Sequence, residues 1–277
     1  MTGNDERPGE KPVTPPASSD LSHWPAPAKL NLFLHVTGRR TDGYHELQTL
    51  FQLIDLCDTI TISLREDRSI ERPAGARGVP PEADLTLRAA RALQQLTGTG
   101  QGAELRVHKR IPQGAGLGGG SSDAATTLLV LNELWNCRLS LDELAMLALP
   151  LGADVPVFIQ GSSAWAEGIG ERLTPVSLPE AWYVIIYPGV GVSTREVFQS
   201  PELTRNSPLI TIRAFFRVGA TTASQWSAHA RPKWRRRSTG WRMRAARTSR
   251  APAPACLPRA AAPRRPSAWR GGCPTGG

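Results

Sequence analysis

The sequence predicts an α+β fold, on three observations. Several stretches alternate apolar and polar residues with the period of two expected of half-buried strands. Others carry helix caps followed by apolar residues at helical spacing. The two kinds of segment are mixed without a regular strand–helix–strand repeat, which argues against a parallel α/β sheet.

Taken in order, residues 1–23 are rich in Pro, Ser and acid and have little to bury, so a disordered leader is expected. Ala28–Val36 alternates as a strand, and Thr41-Asp42-Gly43-Tyr44 is a turn. Leu47–Leu56 is a second apolar stretch and Asp58–Leu64 a further alternating strand. Arg68–Pro81 is a Gly/Pro-rich loop. Asp84 caps a helix over 85–93, with Leu85, Ala89, Ala92 and Leu93 on one face, and Ala103–Lys109 is a strand. A glycine-rich loop, Pro112–Ser122, runs into a helix over Asp123–Trp135. Ser140-Leu141-Asp142-Glu143 is a capping box opening the next helix. Gly152-Ala153-Asp154-Val155-Pro156 is a turn, Val157–Ala166 is strand-like with a break at Gly161, and Trp182–Pro188 is a buried strand. Met146, Trp135 and Trp165 are expected in the core.

The chain has 277 residues and a formal net charge of +9, but that charge is unevenly placed. From Arg217 onward there are 14 of the 33 Lys+Arg and none of the 24 acids, so residues 1–216 carry 19 bases against 24 acids. An acidic body is followed by a basic tail, a pattern that by itself suggests a nucleic-acid or membrane arm. No apolar run approaches the ~20 residues of a spanning helix, and the N-terminal stretch lacks the basic start and apolar centre of a signal peptide, so a cytoplasmic protein is expected. The four cysteines, Cys57, Cys137, Cys256 and Cys273, lack metal-site spacing.

The glycine loop carries the strongest chemical signal. Five glycines in the seven positions Gly114–Gly120 let the main chain turn tightly and bring its N–H groups close to a ligand. The loop opens a helix, whose N-terminus offers unpaired N–H groups and the positive end of a dipole, a combination that holds phosphate. No Lys follows Gly120, so this is not the Walker pattern, and the surrounding order is not that of a dinucleotide-binding unit.

The segment PxGAGLGGGSSDAA resembles the ATP loop of the GHMP small-molecule kinases. Three further segments, Pro27–Phe51, Leu151–Phe158 and Ala164–Pro175 with its Gly-x-Gly-Glu, resemble the branch of that superfamily that acts on a cytidine diphosphate conjugate of methylerythritol, and they stand in the family's order. The resemblance implies a GHMP kinase fold of the ribosomal protein S5 domain 2-like type. An ATP-binding N-terminal domain would span 24–175, the start of a second, incomplete α/β domain 176–216, and a basic disordered tail 217–277. It implies transfer of phosphate from ATP to the 2-hydroxyl of 4-diphosphocytidyl-2-C-methyl-D-erythritol, in the non-mevalonate route to isoprenoids. The resemblance likewise implies ATP as co-substrate and Mg2+ as cofactor.

The same resemblance assigns roles. Pro112, Gln113, Gly114, Ala115, Gly116, Leu117, Gly118, Gly119, Gly120, Ser121 and Ser122 would hold ATP, with Ser121 or Ser122 also placed to reach Mg2+. Asp154 matches the general base that takes the proton of the acceptor hydroxyl, and Lys29 its fixed positive partner. Asn31, Tyr44 and His45 would select the substrate, the aromatic faces stacking on the cytosine ring. The expected partners are a small molecule and, as assembly, a monomer or homodimer, with no nucleic acid or membrane. Three alternatives compete: another kinase of the superfamily, an inactive remnant of one, and a nucleic-acid-binding protein using the basic tail.

After about Phe216 the resemblance stops. The family continues with Asn-Asp-Cys-x-Pro-Val-Val and, about 29 residues later, Thr-Gly-Thr-Gly-Ala-Cys-Val-Phe; neither stands here. Codons for Ala220–Ser227, shifted in register, can spell the first of these segments, and codons for Ser249–Pro258 in the same offset can spell the second. A frameshift between Phe216 and Ala220 is therefore expected.

Overall fold

The computed structural model describes residues 23–73, 78–187, 189, 194–217 and 247–250. Two long antiparallel strands organise it: β1 (His23–Arg39) and β2 (His45–Arg65). They are joined by a tight turn in which Arg40 N–H donates to the Tyr44 carbonyl at 2.8 Å. The other edge of β2 serves two partners in succession. Its first part, Leu47–Phe51, pairs with β5 (Ala164–Gly168), and its last part, Thr59–Arg65, pairs with β4 (Gly102–His108). β3 (Ile70–Glu71) lies parallel to β4, and β6 (Arg172–Pro175) closes a hairpin with β5, which completes a six-stranded sheet.

The sequence suggested two separate strands within β2. They are continuous because the irregularity is absorbed as a bulge: Pro27 faces Cys57 while Ala28 faces Ile54, leaving Asp55 and Leu56 as the extra residues. The run Gln48–Ile54 shows no alternation because both of its faces are covered. Phe51 belongs to the main core beneath the helices, and Leu50 to a second cluster with Phe33 and Trp165.

Helices α1 (Leu85–Thr97), α2 (Gly119–Leu134), α3 (Leu141–Ala148) and α4 (Val155–Gln160) build the main core against the sheet. Asp84 caps α1 by accepting from Thr86 N–H (2.9 Å) and Leu87 N–H (3.4 Å), as expected. Its buried arc is shifted from the expected stripe: Ala89 and Leu93 are buried as expected, Leu85 and Ala92 only half so, and Thr86, Leu87 and Ala90 are buried besides, because α1 packs on both α2 and the β3–β4 edge. The capping box of α3 forms, with Ser140 Oγ and Glu143 exchanging hydrogen bonds.

Three expectations are corrected. Residues 157–160 form a helix, not a strand: a short apolar run is ambiguous by periodicity, and Pro156 in the first turn favours the helix. Met146 lies on the outer face of α3 at 69% exposure, whereas Trp135 and Trp165 are buried. The stretch expected as a buried strand yields β7 (Trp182–Ile185), of which only one face is covered; Tyr183 and Ile185 pack on Ala28, Ile54, Leu56, Ile111 and Leu117. Trp182, Val184 and Ile186 are 64–69% exposed.

Beyond β7, α5 (Thr194–Gln199) is followed by a strap that returns to the sheet. Ser207 N–H donates to the Val36 carbonyl, Ile210 N–H donates to Gln48 Oε1, and Phe215, in a helical segment at 212–217, stacks on Phe33. Of the expected leader and tail, His23 opens β1, Arg217 ends the 212–217 segment, and β8 (Arg247–Arg250) pairs with β7. The disorder expected for the remaining residues, 1–22, 218–246 and 251–277, falls outside the described residues.

Candidate active site

The site grows from the glycine loop. The helix after it starts at Gly119, four residues earlier than expected, so Gly119 and Gly120 form its first turn. Gly118, at φ 71°, sits in the left-handed region just before the helix. A Cβ at Gly118 would stand 2.9 Å from the Phe158 ring and 3.1 Å from Lys29 Cγ, so glycine is required twice over, for the backbone angle and for the space. This close approach lets Lys29 N–H donate to the Leu117 carbonyl at 3.0 Å and fixes β1 against the loop.

Lys29 is 5% exposed, and its ammonium lies 3.2 Å from Asp154 Oδ2 and donates to Asn31 Oδ1 at 2.5 Å. The Asn31 amide is oriented in turn: its Nδ2 donates to Thr49 Oγ1 at 2.9 Å, and Thr49 donates to the Phe33 carbonyl. The ammonium also lies 5.2 Å from the Phe51 ring centroid. Asp154 precedes α4, and its side chain is 37% exposed. The result is a buried cation joined to a carboxylate that solvent can reach, held at the loop that opens α2. A Cβ at Gly152 would lie 3.8 Å from Ser121 Oγ, so the Asp154 turn also borders the first turn of α2.

On the other side of the loop lies a cleft of about 300 Å³, lined by Pro112–Gly120 and by Arg72, Asp84, Lys109 and Asp123. Its charged wall is a network that sequence reasoning missed. Lys109 bridges Asp58 and Asp123, the latter at 2.7 Å, and Asp58 Oδ1 accepts from Arg110 N–H (2.5 Å) and Ile111 N–H (2.8 Å). Asp58 thereby anchors the entry to the glycine loop. Burial pushes the Asp123 carboxyl up to about 6, against the pull of Lys109. The only sequence signal was charge where apolar residues were expected: Asp58 on a buried face of β2 and Asp123 at a helix start.

Ser122 Oγ and Asp123 Oδ1 are buried and without a hydrogen-bond partner, and Ser121 is half-buried. Among the described residues no cluster of three or more His, Cys, Asp or Glu forms a metal cage. These oxygens suit a magnesium ion carried mainly by phosphates, which needs one or two protein oxygens.

Tyr44 and His45 lie at the far end of the β1–β2 ladder, where Arg39 pairs with His45. His45 is eight residues along β2 from Leu53, the partner of Lys29, a span of at most about 27 Å. The structure therefore joins Lys29, Asn31, Asp154 and the loop directly, and places His45 at the far end of the same ladder and Tyr44 in the turn beside it, apart from them. Tyr44 is 60% exposed. The expectation that His45 stacks on a ligand meets a neighbour: Phe198 of α5 stacks on the ring with centroids 5.3 Å apart and the planes tilted by 26°, and Arg205 donates to His45 Nε2 at 3.2 Å. Phe198 and Arg205 were not anticipated, because they come from the short α5 and the strap after it, where no periodicity marks them.

A glycine loop opening a helix, with a cation–carboxylate couple beside it, defines a phosphotransferase of the GHMP kinase class. The GHMP kinases N terminal domain family matches residues 84–162. The chain is 60% identical over 189 residues to the 4-diphosphocytidyl-2-C-methyl-D-erythritol kinase of Nitrosococcus oceani, covering 68% of each chain. It is 50% identical over 261 residues to that of Alkalilimnicola ehrlichii, covering 90% of this chain and 89% of the relative. A crystal structure of 4-(cytidine 5'-diphospho)-2C-methyl-D-erythritol kinase superposes with a TM-score of 0.62 at 40% identity, covering 72% of this chain and 71% of the other. This chain belongs to the 4-diphosphocytidyl-2-C-methyl-D-erythritol kinase family.

Proposed function

We propose that the protein transfers the γ-phosphate of ATP to the 2-hydroxyl of 4-diphosphocytidyl-2-C-methyl-D-erythritol, releasing ADP, and so serves isoprenoid synthesis. The observation that carries this reading is the Lys29–Asp154 pair, 3.2 Å apart, fixed to the loop at the mouth of α2. The loop residues Pro112–Ser122 cradle the phosphates through main-chain N–H groups and the helix dipole. Asp154, the solvent-reachable member of the pair, accepts the proton of the hydroxyl as it attacks. Lys29 offsets the negative charge developing on that oxygen, and Asn31 holds its ammonium in place. Ser121 or Ser122 would hold magnesium, which supplies charge neutralisation on the phosphates. Tyr44 and His45, at the other end of the ladder, hold the cytosine, as an elongated substrate requires. Coupled ADP release with and without the cytidine substrate tests this; turnover that ignores that substrate contradicts it.

We infer further that the segment after Phe216 is read out of frame. Matches to relatives at 56–60% identity cover 68–75% of this chain, while one at 50% identity covers 90% of it. β7 exposes Trp182 and Val184 on one face, an apolar surface of the kind a further layer would cover. Resequencing the locus tests the frame; an intact frame with a native C-terminal peptide of this sequence contradicts it.

A further inference from the structure

The contact between Arg205 and His45 fixes more than a side-chain position. Arg205 Nε donates to His45 Nε2 at 3.2 Å. The remaining guanidinium donors go to main-chain carbonyls, those of Leu203 (3.1 Å), Phe198 (2.9 Å) and Ser200 (2.8 Å). Three carbonyls thus hold the fork while its fourth contact is an imidazole. A guanidinium is always charged and has no lone pair to offer, so the facing ring nitrogen must be the acceptor. A neutral imidazole that accepts at Nε2 carries its proton on Nδ1. Burial and the charges of Arg205 and Arg39 all disfavour a second proton on the ring, which agrees with a neutral His45. Among the described residues Nδ1–H has no hydrogen-bond partner, and Phe198 covers a face of the ring. The hydrogen-bonding group His45 has left to offer a ligand is the Nδ1–H edge.

We propose that Arg205 is a positioning residue that locks His45 as its Nδ1–H tautomer, so that this end of the site presents a ring N–H donor selecting a cytosine over a uracil. The proposal rests on the reading that Tyr44 and His45 hold the base. The chemistry follows from the two pyrimidines. Cytosine has adjacent acceptors at O2 and N3, whereas uracil carries a proton on N3. A fixed donor pairs with the first and meets another donor on the second, which leaves two polar groups unpaired. A histidine free to exchange tautomers would accept from uracil as readily as it donates to cytosine. Arg205 removes that freedom, and its own three carbonyl bonds tie the tautomer to the local fold around α5.

Two measurements test this on the full chain. In a 1H–15N spectrum of the histidine rings, assigned with His45→Gln, wild-type protein shows the proton on Nδ1 of His45. Arg205→Met shows the exchanging mixture of free histidine. A wild-type Nε2–H signal would overturn the proposal, and this readout does not depend on catalysis. In steady-state kinetics with the cytidine conjugate and its uridine analogue, Arg205→Met raises KM for the cytidine substrate about tenfold at unchanged kcat and lowers the cytidine preference by about tenfold or more. Arg205→Lys, which keeps a donor, recovers part of the preference. Equal KM increases for both substrates would assign Arg205 a merely structural role and overturn the proposal. Failure of the functional reading looks different: wild-type protein would phosphorylate neither substrate while the tautomer signature remained.

Discussion

Gly118 shows how closely backbone and chemistry are tied. Its left-handed φ and the 2.9 Å approach of Phe158 leave no place for a methyl group, which would also press on Lys29. Gly118→Ala is expected to destabilise the protein by about 1–3 kcal/mol, measured by denaturant unfolding, and to lower kcat by displacing the ammonium. His45 supplies a pH signature. Its folded-state value lies below the ordinary 6.5 because of burial and then of Arg205 and Arg39. The folded protein therefore binds fewer protons than the unfolded chain just below that value. The stabilisation is present above about 6.5 and lost as pH falls through the depressed value. The melting temperature of the wild type should fall more than that of His45→Gln between about pH 7 and about pH 5. An equal fall in both proteins would remove His45 from the account. Lys29 and Asp154 were legible as single residues only through the motifs around them, since a lone Lys in a strand and a lone Asp in a turn are ordinary. Phe198 and Arg205 gave no such signal: their partner His45 lies more than 150 residues away in sequence.

At the scale of elements, the caps were plain in the sequence and the long-range pairing was not. Asp84 and the Ser140–Glu143 box announce α1 and α3 because capping is local chemistry. The two caps differ in what stands behind them. Ser140 is exposed, so Ser140→Ala is expected to cost about 0.5–2 kcal/mol and leave kcat unchanged. Asp84 is buried and paired with the buried Arg72, and its loss strands a guanidinium; Asp84→Ala should cost about 3–5 kcal/mol. Chemical denaturation of the two variants separates these cases, and equal losses would contradict the reading of the Arg72 pair. The bulge that makes β2 one strand, by contrast, depends on β1 lying opposite it. The helix at Val155–Gln160 depends on burial on every side, which a six-residue apolar run does not specify. No helix of the described residues is long and apolar enough to cross a membrane.

For the whole molecule, the body up to Arg217 carries the six-stranded sheet, the helical layer, the Lys29–Asp154 pair and the glycine loop, while β7 leaves Trp182 and Val184 exposed. The motif order made the body legible because the glycine loop, the Lys29 strand and the Asp154 turn meet in the structure. In the sequence, an out-of-frame tail is suggested by the genetic code alone, since no apolar periodicity marks the residues after Phe216. A frame-restored chain is expected to melt at higher temperature and to show a larger kcat/KM than the literal one, by calorimetry and coupled assay. Equal values would show that the literal tail serves the fold.

The claim on which the account rests is that Asp154, held by Lys29 at the mouth of α2, takes the proton of the acceptor hydroxyl. The most direct measurement is kcat for ADP release by Asp154→Asn with the cytidine substrate, alongside its ATP affinity. The account predicts a fall in kcat of about 100- to 10,000-fold with ATP affinity unchanged. A kcat within about threefold of wild type would contradict it.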